Sequence, residues 1–406
     1  MIASSKGSRL VVISTHPVQY HAPVYREVER LGLPVTAIYG SDFSVAGYQD
    51  REFGVSFAWS TDLLSGYSSV FLSTVAGGGA RSPAATSPHG LSTALSQIDP
   101  TAVLLTGYWP NFLRRAALSV IARRIPALFR AETTDHARVR DRLSESIRNR
   151  ILRAFYKRCS ALLYIGVRSR QHFERLGVDG RELFFSPYCV DSDSFETSES
   201  SRTRMRDETR RELGISSGQV ALLFSGKLVQ RKGPDLLLDA IERLTPERRQ
   251  RITVVFLGEG ELRETLAARS HVAKLAFVGF KNQHELSKYY HSCDALVLPS
   301  RSGETWGLVA NEALMHGLPC VLSEGVGSSP DLMRHGVTGE VFATNSAESL
   351  AQALERLLIW VRDDAELRSN CRRQVAGYSV HAAATGIVSA YEAVAHHTVA
   401  VPHIAN

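Results

Sequence analysis

The stretch "SRSGETWGLVANEALMHGLPCV", residues 300–321, decides how this chain is read. It places Glu304 in a glycine loop behind the apolar run "ALVLPS", and Glu312 a turn into the helix that the loop opens. Over eight residues an ideal helix turns about 800°, which leaves the two side chains roughly 80° apart in direction, and rises about 12 Å. The two carboxylates therefore cannot hold one pair of hydroxyls. They are spaced to reach opposite ends of one extended ligand. The helix that starts near Gly307 adds free backbone N–H groups and the positive end of a dipole, which together suit an anion.

Outward from that stretch, short β-rich apolar runs alternate with helix-length amphipathic segments, the pattern of α/β domains with parallel sheets. First-half strands are expected over 9–15, 35–40, 102–108, 125–131 and 161–166, and second-half strands over 220–226, 251–258, 274–280, 295–300 and 318–324. Two doubly wound, Rossmann-like domains follow, over 1–190 and 214–380. Residues 191–213, rich in serine and charge, read as the linker, with a helix at its end. The Gly/Ser/Pro-rich segment 74–90 reads as a mobile surface loop, and 381–396, with Ile387, Tyr391 and Val394 at helical spacing, as a terminal helix.

In open α/β sheets ligands bind beyond the carboxyl ends of the strands, and the chemistry-bearing residues of the second half all lie there. After "VALLFSG" come Lys227, Arg231 and Lys232, on the connection into a helix striped with Leu237, Leu238, Ile241 and Leu244. The lysines are compact positive charges, and a carboxylate accepts hydroxyl protons. A ligand anionic at one end and polyhydroxylated elsewhere, a nucleotide diphosphate sugar, satisfies both.

At this point a resemblance enters. Residues 218–343 carry in order "SGKLVQRKGPDLLLDAI", "VFLGEGELRETL", "FVGFKNQHELSKYYHSCDALVLPS", "ETWGLVANE" and "GLPCVLSEGVGSSPDLMRHGVTGEVF". The series resembles the C-terminal domain of glycosyltransferase family 4, retaining enzymes of the GT-B fold, in which two Rossmann-like domains face a central cleft. The resemblance implies transfer of a sugar from a nucleotide diphosphate sugar to a hydroxyl, with retained configuration and without a metal or other cofactor. It implies that Glu312 binds the ribose, that Glu304 contacts the sugar, and that Lys232 and Lys227 act on the diphosphate. Gly226, Arg231, Thr305, Trp306, Gly307 and Leu308 complete the expected donor site. Lys227 stands where the family usually has Arg and Trp306 where Phe is more usual, so the Lys227 contact would be a point charge without a bidentate fork.

The opening "STHPVQYHAPVYREVERL" resembles a bacterial subgroup tied to surface-polysaccharide synthesis, and implies that His16 or Gln19 lines the diphosphate side of the cleft. The family's usual histidine after a middle strand has no clean equivalent. The stretch "LFRAETTDHA" offers Arg130, Glu132, Asp135 and His136, of which Asp135 and His136 are taken as acceptor-side candidates. The terminal helix is expected to cross back onto the first domain, as the family's does. A saccharide, lipid-linked or small-molecule acceptor is expected. The alternatives are a GT-B nucleotide-sugar epimerase, an inverting transferase, or a non-catalytic sugar-nucleotide-binding partner of a polysaccharide assembly.

Composition bounds these readings. The chain has 406 residues, 44% hydrophobic and 22% charged, which is enough for two cores. No apolar run reaches the roughly 18 residues of a membrane span, and "LVVI" is too short for the core of a signal peptide, so a cytoplasmic protein is expected. Five scattered cysteines without CxxC spacing indicate neither a zinc site nor a disulfide framework. "GEGELR" lacks the third glycine of a dinucleotide loop, which argues against a Rossmann dehydrogenase.

The formal charge is +6 and the pI about 9.1. Much of this excess falls in 138–158, where Arg138, Arg140, Arg142, Arg148, Arg150, Arg153, Lys157 and Arg158 face only Asp141 and Glu145. Leu143, Ile147, Ile151 and Phe155 recur at helical spacing there, so the segment is an amphipathic basic helix. Two readings stay open: a core-packed helix with a solvated basic face, or peripheral contact with an anionic membrane. Nucleic acid is not expected, because the segment lacks interleaved aromatics and a recognised binding module.

Overall fold

The computed structural model describes residues 9–46, 48–50, 55–57, 62–135, 141–361 and 364–399. The first domain holds β1 (Leu10–Ser14), β2 (Val35–Tyr39), the antiparallel hairpin of β3 (Tyr48–Asp50) and β4 (Val55–Phe57), then β5 (Ser68–Phe71), β6 (Ala102–Leu105), β7 (Ala127–Arg130), β8 (Ala161–Tyr164) and β9 (Leu183–Phe185). Apart from the hairpin these make one seven-stranded parallel sheet in the order β5-β2-β1-β6-β7-β8-β9. The second domain holds β10 (Val220–Ser225), β11 (Ile252–Leu257), β12 (Lys274–Gly279), β13 (Ala295–Leu298), β14 (Cys320–Ser323) and β15 (Gly339–Phe342). They form a six-stranded parallel sheet in the order β12-β11-β10-β13-β14-β15.

The central strands form because helices cover both faces of each sheet, so every residue of "LVVIS" and "ITVVFL" is buried. Leu237, Leu238 and Ile241 cover one face of the second sheet, and Ala310, Ala313 and Leu314 cover the other. In each domain the sheet order reverses beside the first strand, with β1 between β2 and β6 and β10 between β11 and β13. That reversal opens the crevice in which such sheets take ligands.

Two expectations about organisation change. The linker expected over 191–213 is shorter, because Glu199–Glu212 is a helix capped by Ser198 and seated on the second domain. Arg206 reaches Asp294 at 2.5 Å and Arg210 reaches it at 3.1 Å, which ties that helix to the strand β13 region. The segment 74–90 lies against the end of β2, where the Ser41 hydroxyl donates to the Ala80 carbonyl at 2.6 Å and Thr86 is buried.

The last helix, Val380–Val399, returns to the first domain. Ala383, Ala384, Ile387 and Tyr391 pack with Val24, Tyr25 and Val28 of the helix Ala22–Arg30. Only glycine fits at 386, since a Cβ there would lie 1.9 Å from the Phe185 carbonyl oxygen. No helix among the described residues is long and apolar enough to cross a membrane.

The domains pack against each other at a patch around Trp306. Trp306 is buried against Ile165 and Tyr188, and Gly166 admits it because a Cβ there would come within 2.4 Å of the indole. Beside it the backbone N–H of Val167 donates to Asp331 at 2.9 Å, and Arg168 donates to the Val326 carbonyl at 2.9 Å.

Candidate functional site

The expected donor residues converge at the carboxyl ends of β10, β11 and β13. Strand β10 ends at Ser225, and the chain turns through Gly226 and Lys227 into a short turn, Gln230–Lys232, before the helix Pro234–Glu242. The neighbouring loop after β11 packs directly on this one. A Cβ at Gly258 would sit 2.0 Å from the Gly226 oxygen, and one at Gly260 would sit 2.5 Å from the Leu228 oxygen. Both glycines of "GEG" thus serve the close approach of two loops.

After β13, Glu304 turns back toward Lys232. The two form an ion pair, with side chains 13% and 17% exposed, and the Ser300 hydroxyl donates to the same carboxylate oxygen at 2.9 Å. Gly307, at φ +92°, then caps the helix Leu308–Met315, whose inward face buries Ala310, Asn311 and Glu312.

Glu312 is 3% exposed. Tyr290 donates to its Oε2 at 2.5 Å, and Tyr20 of the first domain donates to it as well. Burial pushes the Glu312 carboxyl up to about 7, against the pull of those two phenols. The carboxylate thus takes two O–H donors on one side chain, the arrangement a vicinal diol would require.

Beyond these residues a cavity of about 1250 Å³ opens on the first-domain side. His21, Arg130, Glu132 and Trp109 line it, and Thr305 and Leu308 close it from the second domain. Thr305 donates its hydroxyl to Glu132 across the cleft. Arg130 is buried, with its guanidinium on the carbonyls of Ser186 (3.1 Å) and Pro187 (2.6 Å) and over the Tyr188 ring. Burial, with help from Arg130, lowers His21 to about 3, so it is uncharged at neutral pH.

The structure brings Glu304, Lys232, Gly226 and Glu312 to the same sheet end, with Lys227 and Arg231 on the adjoining turn and Thr305, Gly307 and Leu308 at the helix start. Trp306 is a correction: it is buried, its indole Nε1 donates to Asn311 at 2.8 Å and its ring is spent on interdomain packing.

Asp135 is a second correction. It lies outside the cavity, held by His172 Nδ1 at 2.8 Å and by Arg175, whose Nε and Nη2 donate at 2.9 and 2.8 Å. Burial raises Asp135, but those hydrogen bonds more than offset it and hold the carboxyl below its ordinary range. His16 does not line the cavity either. Its Nδ1 pairs with Thr15 Oγ1 at 2.8 Å, its ring packs 4.5 Å from Phe43, and burial lowers it to about 4. Gln19 is buried next to Tyr20, and His136 lies outside the described residues.

Tyr20 and Tyr290 escaped the sequence reading as site residues, as did the partnership of Glu132 with Thr305. Tyr20 sits in "HPVQYH" and Tyr290 in "KYYHSCD", where nothing marks a phenol as facing a carboxylate 22 or more residues away.

Residues 205–376 match the model of the family described as "Glycosyl transferases group 1". A D-inositol 3-phosphate glycosyltransferase of Geodermatophilus obscurus is 31% identical over 239 residues, which covers 56% of this chain and 51% of that protein. The corresponding enzyme of Frankia alni is 33% identical over 215 residues, covering 50% and 51%. The chain spans about half the length of these relatives. Among solved structures, Anabaena HepE in complex with UDP aligns with a TM-score of 0.67 at 15% identity, over 97% of this chain and 100% of that one. Sucrose-phosphate synthase from Thermosynechococcus elongatus aligns with a TM-score of 0.70 at 16% identity, over 97% and 100%. The chain therefore has the GT-B fold of two Rossmann-like domains, and its second half carries the sequence pattern of the group 1 glycosyl transferases.

Proposed function

We propose that this protein transfers a sugar from a nucleotide diphosphate sugar to a hydroxyl of an acceptor held in the first-domain cavity, with retention of configuration. The observation that carries the reading is Glu312, a buried carboxylate already holding two hydroxyl donors at the start of a helix beside the Lys232–Glu304 pair. In the proposed complex the ribose hydroxyls replace Tyr20 and Tyr290 on Glu312. Lys232 then exchanges Glu304 for the diphosphate, and Lys227 and the backbone N–H groups after Gly307 add to the positive field around it.

The bond from the anomeric carbon to the phosphate oxygen breaks as the bond to the acceptor oxygen forms on the same face. The departing diphosphate takes the acceptor proton, so no protein nucleophile is needed. Positive charge held in place around the leaving group stabilises the transition state. Glu304, freed from Lys232, is then set to contact the sugar. The protein is proposed to work in the cytoplasm, in polysaccharide or glycoconjugate synthesis, with its basic helix 142–156 turned toward an anionic membrane surface.

The test is a thermal-shift and mass-spectrometric screen of UDP, GDP, ADP and dTDP and their sugars, on the native chain and on Glu312→Ala. UDP goes first, because HepE was solved with UDP. The expected result is stabilisation by one nucleotide, its loss in the variant, and slow hydrolysis of the matching sugar nucleotide. Nucleotide binding with no turnover of any donor would leave the non-catalytic reading standing.

A further inference from the structure

The helix Arg142–Tyr156 turns the wrong face to water for a core helix. Only Leu152 and Tyr156 on it are buried, whereas Leu143, Ile147 and Ile151 are 71%, 53% and 64% exposed. These three recur every four residues, so they form one stripe along the helix, about 12 Å from end to end. Scattered exposed leucines need no explanation, but a contiguous row of large aliphatics marks a surface that something covers. The core-packed reading of this stripe is thereby set aside.

What covers it is indicated by where the stripe leads. Ile147 and Ile151 are also walls of the cavity that His21, Arg130 and Glu132 line. Trp109, another cavity wall, is 69% exposed, with the Arg114 guanidinium 5.1 Å from its ring. The cavity thus has polar walls at His21 and buried Arg130, an exposed apolar rim at Trp109, Ile147 and Ile151, and is continuous with an apolar track on the outer surface. Around that track the segment 142–158 carries Arg142, Arg150, Arg153, Lys157 and Arg158 against Glu145, besides Arg148, which pairs with Asp135 at 3.5 Å. A purely sugar-like acceptor would leave the track unused, and a simple hydrocarbon would leave the cations without a counter-charge.

We infer that the acceptor is an anionic amphiphile: its hydroxyl-bearing head enters the cavity beside Glu132 and His21, and its hydrocarbon chain leaves along Ile151, Ile147 and Leu143, past Trp109. This rests on the reading of the cavity as the acceptor site. It adds the chemical class of the acceptor, a chain-bearing phosphate or phosphate-like ester, and the path by which its chain exits.

The experiment titrates butyl phosphate and dodecyl phosphate, both below micelle formation, into the full chain and follows Trp109 fluorescence, with Trp109→Phe to identify that signal. Dodecyl phosphate is expected to bind at least ~30-fold more tightly, a fraction of what eight fully buried methylenes would give. The combined variant Leu143→Ser, Ile147→Ser, Ile151→Ser, shown to be folded by circular dichroism, is expected to bind both esters alike. Equal affinity for the two esters in the native chain overturns the inference, and so does undiminished dodecyl phosphate binding in the triple variant. Binding to anionic phosphatidylglycerol vesicles without any response to the monomeric ester also overturns it, and assigns the stripe to the bilayer surface. A UDP-induced rise in melting temperature, recorded on the same native sample, reports the nucleotide site separately, so failure of the donor reading and failure of the acceptor class are told apart.

Discussion

Tyr290 donates its hydroxyl to Glu312 at 2.5 Å, and both side chains are buried in the seam where the first-domain residue Tyr20 also arrives. The carboxylate expected to hold a ligand thus accepts from two of the protein's own phenols. Its burial also makes Glu312 a titrating group.

The pH dependence follows. Burial raises the Glu312 carboxyl from an ordinary 4.5 to about 7. Between those values the folded chain keeps a proton that the unfolded chain has lost, so its contribution to stability is full below about 4.5 and fades as pH rises through about 7. Native protein should therefore lose about 3 kcal/mol more than Glu312→Gln between about pH 4.5 and pH 8, read from urea unfolding at each pH. Parallel curves for the two proteins would refute the burial of that charge.

Lys232 and Glu304 are each other's nearest counter-charge, and both are largely shielded from water. Removing Lys232 alone should cost ~1–3 kcal/mol, because Glu304 keeps only the Ser300 hydroxyl. The double variant Lys232→Ala, Glu304→Ala should cost less than the sum of the single ones. A double-mutant cycle showing additivity would mean that the pair is not formed in solution.

Asp294 receives Arg206 and Arg210 and also accepts from the backbone N–H of Ala221 at 2.7 Å. Asp294→Ala leaves two largely buried arginines without their carboxylate, at an expected cost of ~3 kcal/mol. Trypsin should then cut within 199–212 much faster than in the native chain. Unchanged cleavage there would show that the helix is not held to the second domain by this carboxylate.

Gly166→Ala places a methyl 2.4 Å from the Trp306 ring and 2.7 Å from Asp331 Oδ1. The expected loss is ~1–3 kcal/mol, from overpacking the patch that joins the domains. Adding Trp306→Phe shortens the ring and should return part of the loss in thermal unfolding. No recovery would mean that the strain lies with Asp331 instead.

Much of the architecture was legible because buried parallel strands are written as unbroken apolar runs. The ten strands read from such runs all lie in the two sheets. Besides the hairpin β3–β4, the strands missed in those sheets are weak ones. In β5 the residues of "SSVF" alternate between exposed and half-buried, β9 is three half-buried residues, and β15 carries Glu340 within it. Edge strands bury less surface, so their composition carries less signal. The Glu340 carboxylate is buried with partners: Arg356 and Trp360 of the helix Ala347–Trp360 donate to it, and His335 Nδ1 lies 2.6 Å away.

The candidate site divides the same way. Lys227, Lys232 and Glu304 each stand next to a glycine, and Glu312 lies five residues beyond Gly307, so local spacing pointed to them. Asp135 stood just as close to a strand end, and only the fold shows it neutralised by His172 and Arg175, about 40 residues further along the chain. The periodicity of Leu143, Ile147 and Ile151 was plain, but which way the stripe faces depends on neighbours that periodicity does not name.

The sequence by itself therefore determined the two parallel-sheet domains and the cluster of charged residues at the second domain's strand ends, because backbone pairing and burial are set by local composition. Only the tertiary structure decided which charges neutralise one another, that Tyr20 and Glu132 reach across to the second domain, and that the basic helix shows its apolar stripe to the solvent. Those outcomes depend on contacts between residues far apart in the chain, whose energies exist only once both partners have been brought to one place.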